Sequence, residues 1–440
     1  MSAAASYLPA LSVFDPADAA EGTLDPLGLS QLATRIAELL VPDFRERVRR
    51  PRFFTALALG AALLSPQRYE GGPYEDSADG PRYLAWERLV TESYARTSST
   101  SDGGLLGVPG IGKARGAVAQ DARLSSRLYL KNAAAVGWWV AYKGIATEIG
   151  VVDEHGHLGE VGRELLEAWA RSIGEPNIAR FESEPGRFAE MDRALAPLLG
   201  EPSPSGKPQS VWKFLGSSLH PEGLTKPEAH VLNRALRTRG EGSIQRCAVL
   251  EYFDERAINE TPEMVLLEQL SKTPSDLGTR ALLALRYERL AKALMAAFDC
   301  VLFAGGVYRD ARVDAARVAG APEAGPLFTG SPEKIAQALQ DARSTLEGSK
   351  ERVLANETLE WVDGSTVGVP ALFSGLIERH LETQKRKPPD GKRPWIEGEA
   401  GNHRVRLRFV PQSPPSSDRF VHAYRLLAVR SCLRDLRGAK

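Results

Sequence analysis

Arg404, Arg406 and Arg408 stand at alternate positions, with Val405, Leu407 and Phe409 between them. In an extended strand a period of two sends all three guanidiniums to one face, about 6.6 Å apart. A guanidinium is a planar fork that can bond a phosphate through two N–H groups at once. Upstream, Lys385, Arg386 and Lys387 are followed by Lys392 and Arg393 across Pro388, Pro389, Asp390 and Gly391. Proline and glycine keep such a stretch out of regular helix, so these charges are expected on an exposed loop. Trp395, just beyond, could stack on an unpaired base. The pattern predicts a nucleic-acid-binding surface made of Lys385, Arg386, Lys387, Lys392, Arg393, Trp395, Arg404, Arg406 and Arg408. A strand face bridged to the chain's own carboxylates is the bland reading of the same residues. Docking on an acidic partner protein is a third.

The charge balance points the same way. The chain has 56 Lys and Arg against 56 Asp and Glu. From Leu376 to Lys440 there are fifteen basic against seven acidic residues, a net +8, so the first 375 residues carry −8. A clustered basic surface is the electrostatic footprint of a polyanion partner.

A second candidate lies between Leu124 and Ile173. Asn132 can cap a helix that starts at Ala133, Gly137 breaks it, and a second helix is expected from Trp138 to Glu148. Trp138, Tyr142, Ile145 and Ile149 share one face of that helix, and Trp139, Lys143 and Thr147 fall on another. Val151 and Val152 begin a short strand, Glu154 to Gly156 turn it, and a helix follows through Val161, Leu165, Trp169 and Ile173. Helix, turn, helix, hairpin, helix is the order of a winged helix. In a DNA reader the second helix enters the major groove. Trp139, Lys143 and Thr147 would then face bases, with Arg115, Arg123 and Arg127 near phosphates. Asp153 and Glu154 in the wing fit that role poorly, and a structural or docking module is the equal alternative.

Other chemistry finds little support. Gly107, then Gly112 and Lys113, match most of a phosphate-binding loop, but Ala114 stands where a magnesium-binding hydroxyl is needed. A glycine-rich turn feeding a helix is the expected reading. The seven histidines make no metal-binding helix motif, and no serine lies in a Gly-x-Ser-x-Gly elbow. Glu251, Asp254 and Glu255 lie close together without the lysine and strand context of a nuclease core. Cys247, Cys300 and Cys432 are too far apart for a disulfide framework or a zinc knuckle. No catalytic residue, metal or cofactor is therefore expected.

The elements that must position these residues are mainly helical. Leu29, Leu32, Ala33, Ile36, Leu39 and Leu40 recur at helical spacing, and so do apolar residues from Thr279 to Phe298. Thr225 and Glu228 have capping-box spacing. Ser331 followed by Pro332 marks another helix start, with serine as the cap. The composition is that of a soluble globular protein, 43% hydrophobic and 25% charged. The longest apolar run taken from the sequence, Phe53 to Leu64, is too short to span a bilayer. A chain of 440 residues implies several domains. The expectation is a mainly α, multi-domain, cytoplasmic protein with an N-terminal helical domain (1–104), a winged-helix-like module (105–200), a helical domain (201–330) and a basic α+β module (331–440).

The runs Leu24 to Leu29, Gly107 to Lys113 and Gln384 to Trp395 together resemble an uncharacterised family of bacterial proteins associated with restriction and anti-phage gene clusters. The resemblance covers most of the chain and implies a defence-complex subunit working beside a helicase or nuclease. It assigns no catalytic residue. The functional expectation is thus a non-catalytic nucleic-acid-binding subunit, with DNA ahead of RNA and no membrane partner. A protein–protein adaptor and a nuclease with an unfamiliar site are the alternatives.

Overall fold

The computed structural model describes residues 25–77, 80–99, 103–105, 107–180, 186–200, 207–256, 260–387, 390–399, 401–419 and 421–439. Pro202 to Gly206, at the expected boundary between the second and third domains, and Pro388 and Pro389 of the basic loop lie outside them. The chain divides into two compact units, each assembled from separated stretches. The first joins Met1–Leu39 to Met264–Ala423, and the second joins Leu40–Glu263 to Tyr424–Lys440. The described structure is mainly helical, and its strands are two or three residues long.

The first unit is organised by the helix Asp276–Val307, 32 residues long. The Ser275 hydroxyl caps it by accepting the Gly278 N–H. Leu283, Ala284, Leu285, Leu290, Ala296, Cys300 and Leu302 are all buried, so apolar residues run around the whole circumference. A helix of that kind belongs inside a core. By length and composition it is the one described helix able to cross a membrane, with a mean hydropathy of 1.7 in a window that is 61% buried inside the protein. The helix Ser331–Leu346 packs along it. Ser331 is not the cap: Gly330 holds that position, and the Ser331 hydroxyl donates to the Leu327 carbonyl at 2.7 Å.

A three-stranded antiparallel sheet lies on the same helix. His403–Val405 is central, flanked by Arg312–Val313 and Ile396–Glu397. The contact is close at Gly305, where a Cβ would come within 2.4 Å of the Val405 side chain.

In the second unit the helix Arg52–Leu63 is buried along its full length. It packs against the helices Trp138–Glu148 and Glu160–Ser172. Phe53, Phe54, Trp138 and Tyr142 form one aromatic cluster, with Phe53 5.1 Å from Trp138 and Phe54 5.2 Å from Tyr142 between ring centres. The expected capping box of Thr225 and Glu228 forms at the helix Lys226–Thr238. Glu228 also pairs with Arg52, and both side chains are almost fully buried.

The segment read as helix, turn, helix, hairpin, helix has those elements in that order. Ala133–Val136 is a single turn, Gly137 separates it from Trp138–Glu148, and Glu160–Ser172 follows. The hairpin is reduced to one bridged pair, Val152 and Leu158. Gly137 is needed for space rather than for its backbone angle. A Cβ there would lie 2.3 Å from the Glu87 carboxylate. Glu87 is wholly buried and accepts the Tyr129 hydroxyl at 2.6 Å and the Trp138 and Trp139 N–H groups at 3.1 and 3.0 Å. It satisfies the first amides of the helix from outside, as a capping side chain would.

Candidate nucleic-acid interface

The alternating arginines do not form the expected row. Only Arg404 lies in a strand, because its partner strands are two residues long and pairing stops there. Leu407–Phe409 is a 3₁₀ turn, which rotates Arg406 and Arg408 away from the strand period. Leu407, expected underneath, is 73% exposed. Arg404 donates to the Asp310 carbonyl at 2.9 Å. Arg406 is half-buried against Glu397 at 3.8 Å, and Arg408 lies over the Phe409 ring at 4.7 Å.

The basic stretch before it is partly spent on structure. Lys385 and Arg386 belong to the last turn of the helix Val369–Arg386, not to a loop. Arg386 pairs with Glu382, and Arg393 bonds Glu397 at 2.6 Å. The Lys387 ammonium donates to the Asp25 carbonyl at 2.8 Å, and burial holds its pKa below the ordinary lysine value. The Lys392 amide bonds the Gln384 carbonyl at 2.8 Å. Trp395 stacks on Phe409 with centres 4.6 Å apart and rings 9° from parallel, and its backbone N–H donates to His380 Nε2. That ring is engaged inside its own unit.

The segment read as a winged helix fares similarly. Trp139 is 0% exposed and stacks on Tyr83, so it belongs to the core and not to a groove-facing surface. The Lys143 ammonium lies 4.0 Å over the Tyr74 ring, and Thr147 is half-buried, its hydroxyl 3.5 Å from the Asp153 carbonyl. Of the flanking arginines, Arg115 donates to the Ser99 carbonyl and Arg123 to Glu92, while Arg127 sits in a 3₁₀ turn. The glycine-rich stretch is a turn, with Gly110 in the left-handed region and Tyr129 against it, and the helix starts at Ile111.

The structure instead gathers arginines elsewhere. Phe44 and Val48 are buried, which leaves Arg45, Arg47 and Arg49 projecting outward on the segment before Pro51. The Tyr142 hydroxyl accepts the Arg50 N–H at 2.8 Å and pins the end of this segment. The helix Leu426–Arg437 supplies the second half. Val429, Cys432, Leu433 and Leu436 bury one face, and Arg430 and Arg434, four apart, share another. The Glu263 carboxylate holds its N-terminus by accepting N–H groups from Tyr424, Leu426 and Leu427.

Arg47, Arg49, Arg50, Arg430 and Arg434 line one cleft of about 910 Å³, floored by Phe53, Trp138 and Tyr142. Glu46 and Glu260 also line it, and Asp435 bonds Arg50 at 3.1 Å. Five cations thus meet three carboxylates, a local excess of +2. Arg47 donates to the Val136 carbonyl at 2.6 Å and Arg430 to the Thr261 carbonyl at 2.5 Å, so neither is neutralised by that bond. Burial and then the neighbouring Arg434 hold the Arg430 pKa below the ordinary guanidinium value. Cations crowded in this way favour an anion among them.

Sequence reasoning missed this site, although Arg45, Arg47, Arg49, Arg50 and Arg52 lie within eight residues. The tail's cations are also divided: Lys385 to Arg408 belong to the first unit, and Arg430 and Arg434 to the second. Among the described residues no group of three or more histidine, cysteine or acidic side chains could hold a metal ion. No family model, curated protein or solved structure matches the chain.

Proposed function

We propose that the protein is a non-catalytic nucleic-acid-binding subunit and that the arginine cleft of the second unit makes its principal phosphate contacts. The observation that carries this reading is the convergence of Arg47, Arg49, Arg50, Arg430 and Arg434 on one concave surface with a net positive excess. Charge-assisted bonds from arginine to phosphate are among the strong ones, and a concave wall concentrates the field. Lys385, Arg404 and Arg408 are exposed on the first unit, and the reading assigns them separate, weaker phosphate contacts. The resemblance to defence-cluster proteins adds a role beside separately encoded enzymes.

The test is binding of a labelled oligonucleotide at low salt to the intact chain and to R47Q/R49Q/R430Q/R434Q. Glutamine keeps an N–H donor for the Val136 and Thr261 carbonyls while removing charge. The expected loss of affinity is at least a hundredfold, as several charged contacts disappear. K385Q/R404Q/R408Q should cost only a fewfold. If the tail variant abolishes binding and the cleft variant leaves it intact, the cleft is not the interface.

A further inference from the structure

The cleft's size and charge carry the reading further. A volume of about 910 Å³ lies within the range of small-ligand sites, about 300–1,000 Å³. It admits a nucleotide or two. The end of a single strand can enter a cleft of this size, whereas a duplex is too wide for it. The charge balance is also specific. An internal phosphodiester carries one negative charge, whereas a terminal phosphate carries nearly two at neutral pH, its second ionisation lying near pH 6. The excess of arginines over carboxylates favours the more highly charged terminal group. The phosphate's donors are the arginine guanidiniums, and Phe53, Trp138 and Tyr142 give the cleft an apolar floor.

We infer that this cleft holds the terminal phosphate of a single-stranded nucleic-acid end. The inference rests on the nucleic-acid reading above. The guanidiniums of Arg47 and Arg430 would grip the phosphate from opposite halves of the cleft. The apolar floor would take the first nucleotide, and the strand would leave along the exposed Arg49 and Arg434.

The experiment is fluorescence anisotropy on the full chain with single strands of about ten nucleotides. One carries a 5′ phosphate, one a 3′ phosphate and one hydroxyls at both ends; a blunt hydroxyl-ended duplex completes the set, and nucleoside monophosphate is the competitor. One of the phosphorylated strands should bind at least about tenfold tighter than the hydroxyl strand, and the duplex weakest. R430Q should weaken binding of the phosphorylated strand by about tenfold more than binding of the hydroxyl strand, which erases the preference. Because Arg430 also bonds the Thr261 carbonyl, R47Q serves as the second variant and should do the same. Equal affinity for phosphorylated and hydroxyl strands overturns the strand-end assignment and leaves nucleic-acid binding standing. Absence of binding by any strand at low salt overturns both. Binding of nucleoside monophosphate without any strand overturns the strand end and assigns the cleft's phosphate chemistry to a free nucleotide.

Discussion

The buried Glu87 carboxylate makes the second unit's stability depend on pH in a direction that can be worked out. Burial raises its pKa from the ordinary 4.5 to about 7, against the opposing pull of the Tyr129 hydroxyl and the Trp138 and Trp139 amides. The folded state therefore holds the proton more tightly than the unfolded chain. Its contribution is fully present below pH 4.5 and is lost as pH rises through about 7. Each tenfold difference in proton affinity is worth about 1.4 kcal/mol, so the full penalty of ionising Glu87 is about 3 kcal/mol. Most of that, about 2–3 kcal/mol, falls between pH 5 and pH 8. The assay is urea unfolding followed by tryptophan fluorescence across that interval, for the native chain and E87Q. Glu263 is raised in the same sense, so the difference between the two proteins isolates Glu87. That difference should change by about 2–3 kcal/mol over the interval. Should E87Q not fold, Y129F is the alternative. It removes a bond that favours the charged form, and the pH midpoint should then move upward. A difference that stays flat with pH refutes the argument.

Other substitutions test the packing. G137A drives a Cβ to 2.3 Å from the Glu87 carboxylate and should cost about 1–3 kcal/mol in urea unfolding. R52A leaves Glu228 buried without its cation and should cost about 3–5 kcal/mol, whereas replacing both partners by apolar residues should cost less. His380 must carry its proton on Nδ1, because that atom faces the Pro26 carbonyl at 3.0 Å while Nε2 accepts the Trp395 N–H. Burial lowers its pKa to about 4, so its contribution is present above pH 6.5 and lost as pH falls through about 4. Nitrogen NMR should find this ring neutral at pH 5.5, where an exposed histidine is mostly charged.

Local signals in the sequence were legible, and long-range ones were not. The bounds of Trp138–Glu148, the turn at Gly137 and the Thr225–Glu228 capping box follow from neighbours a few residues away. The burial of Trp139 does not, because it depends on the helix meeting Tyr83 and Glu87 on a second side. The arginine alternation from Arg404 to Arg408 gives the period of a strand without the length of its partners. Two-residue neighbours end the pairing at Val405. The cleft was hidden for a different reason. Its two halves, Arg47 to Arg50 and Arg430 to Arg434, are about 380 residues apart, and neither half is a site alone. Charge counted over consecutive residues favoured the tail, where several cations already serve as internal anchors.

The central claim is that a single concave arginine surface binds phosphates, and the salt dependence of oligonucleotide binding tests it most directly. Five contacts to a single strand would give a slope of about −3.5 for log affinity against log salt concentration. R47Q/R49Q/R430Q/R434Q, shown by circular dichroism to keep its helix content, should flatten that slope to about −1 or less. An unchanged slope in the folded variant, or no binding by the native chain at about 50 mM salt, would contradict the account.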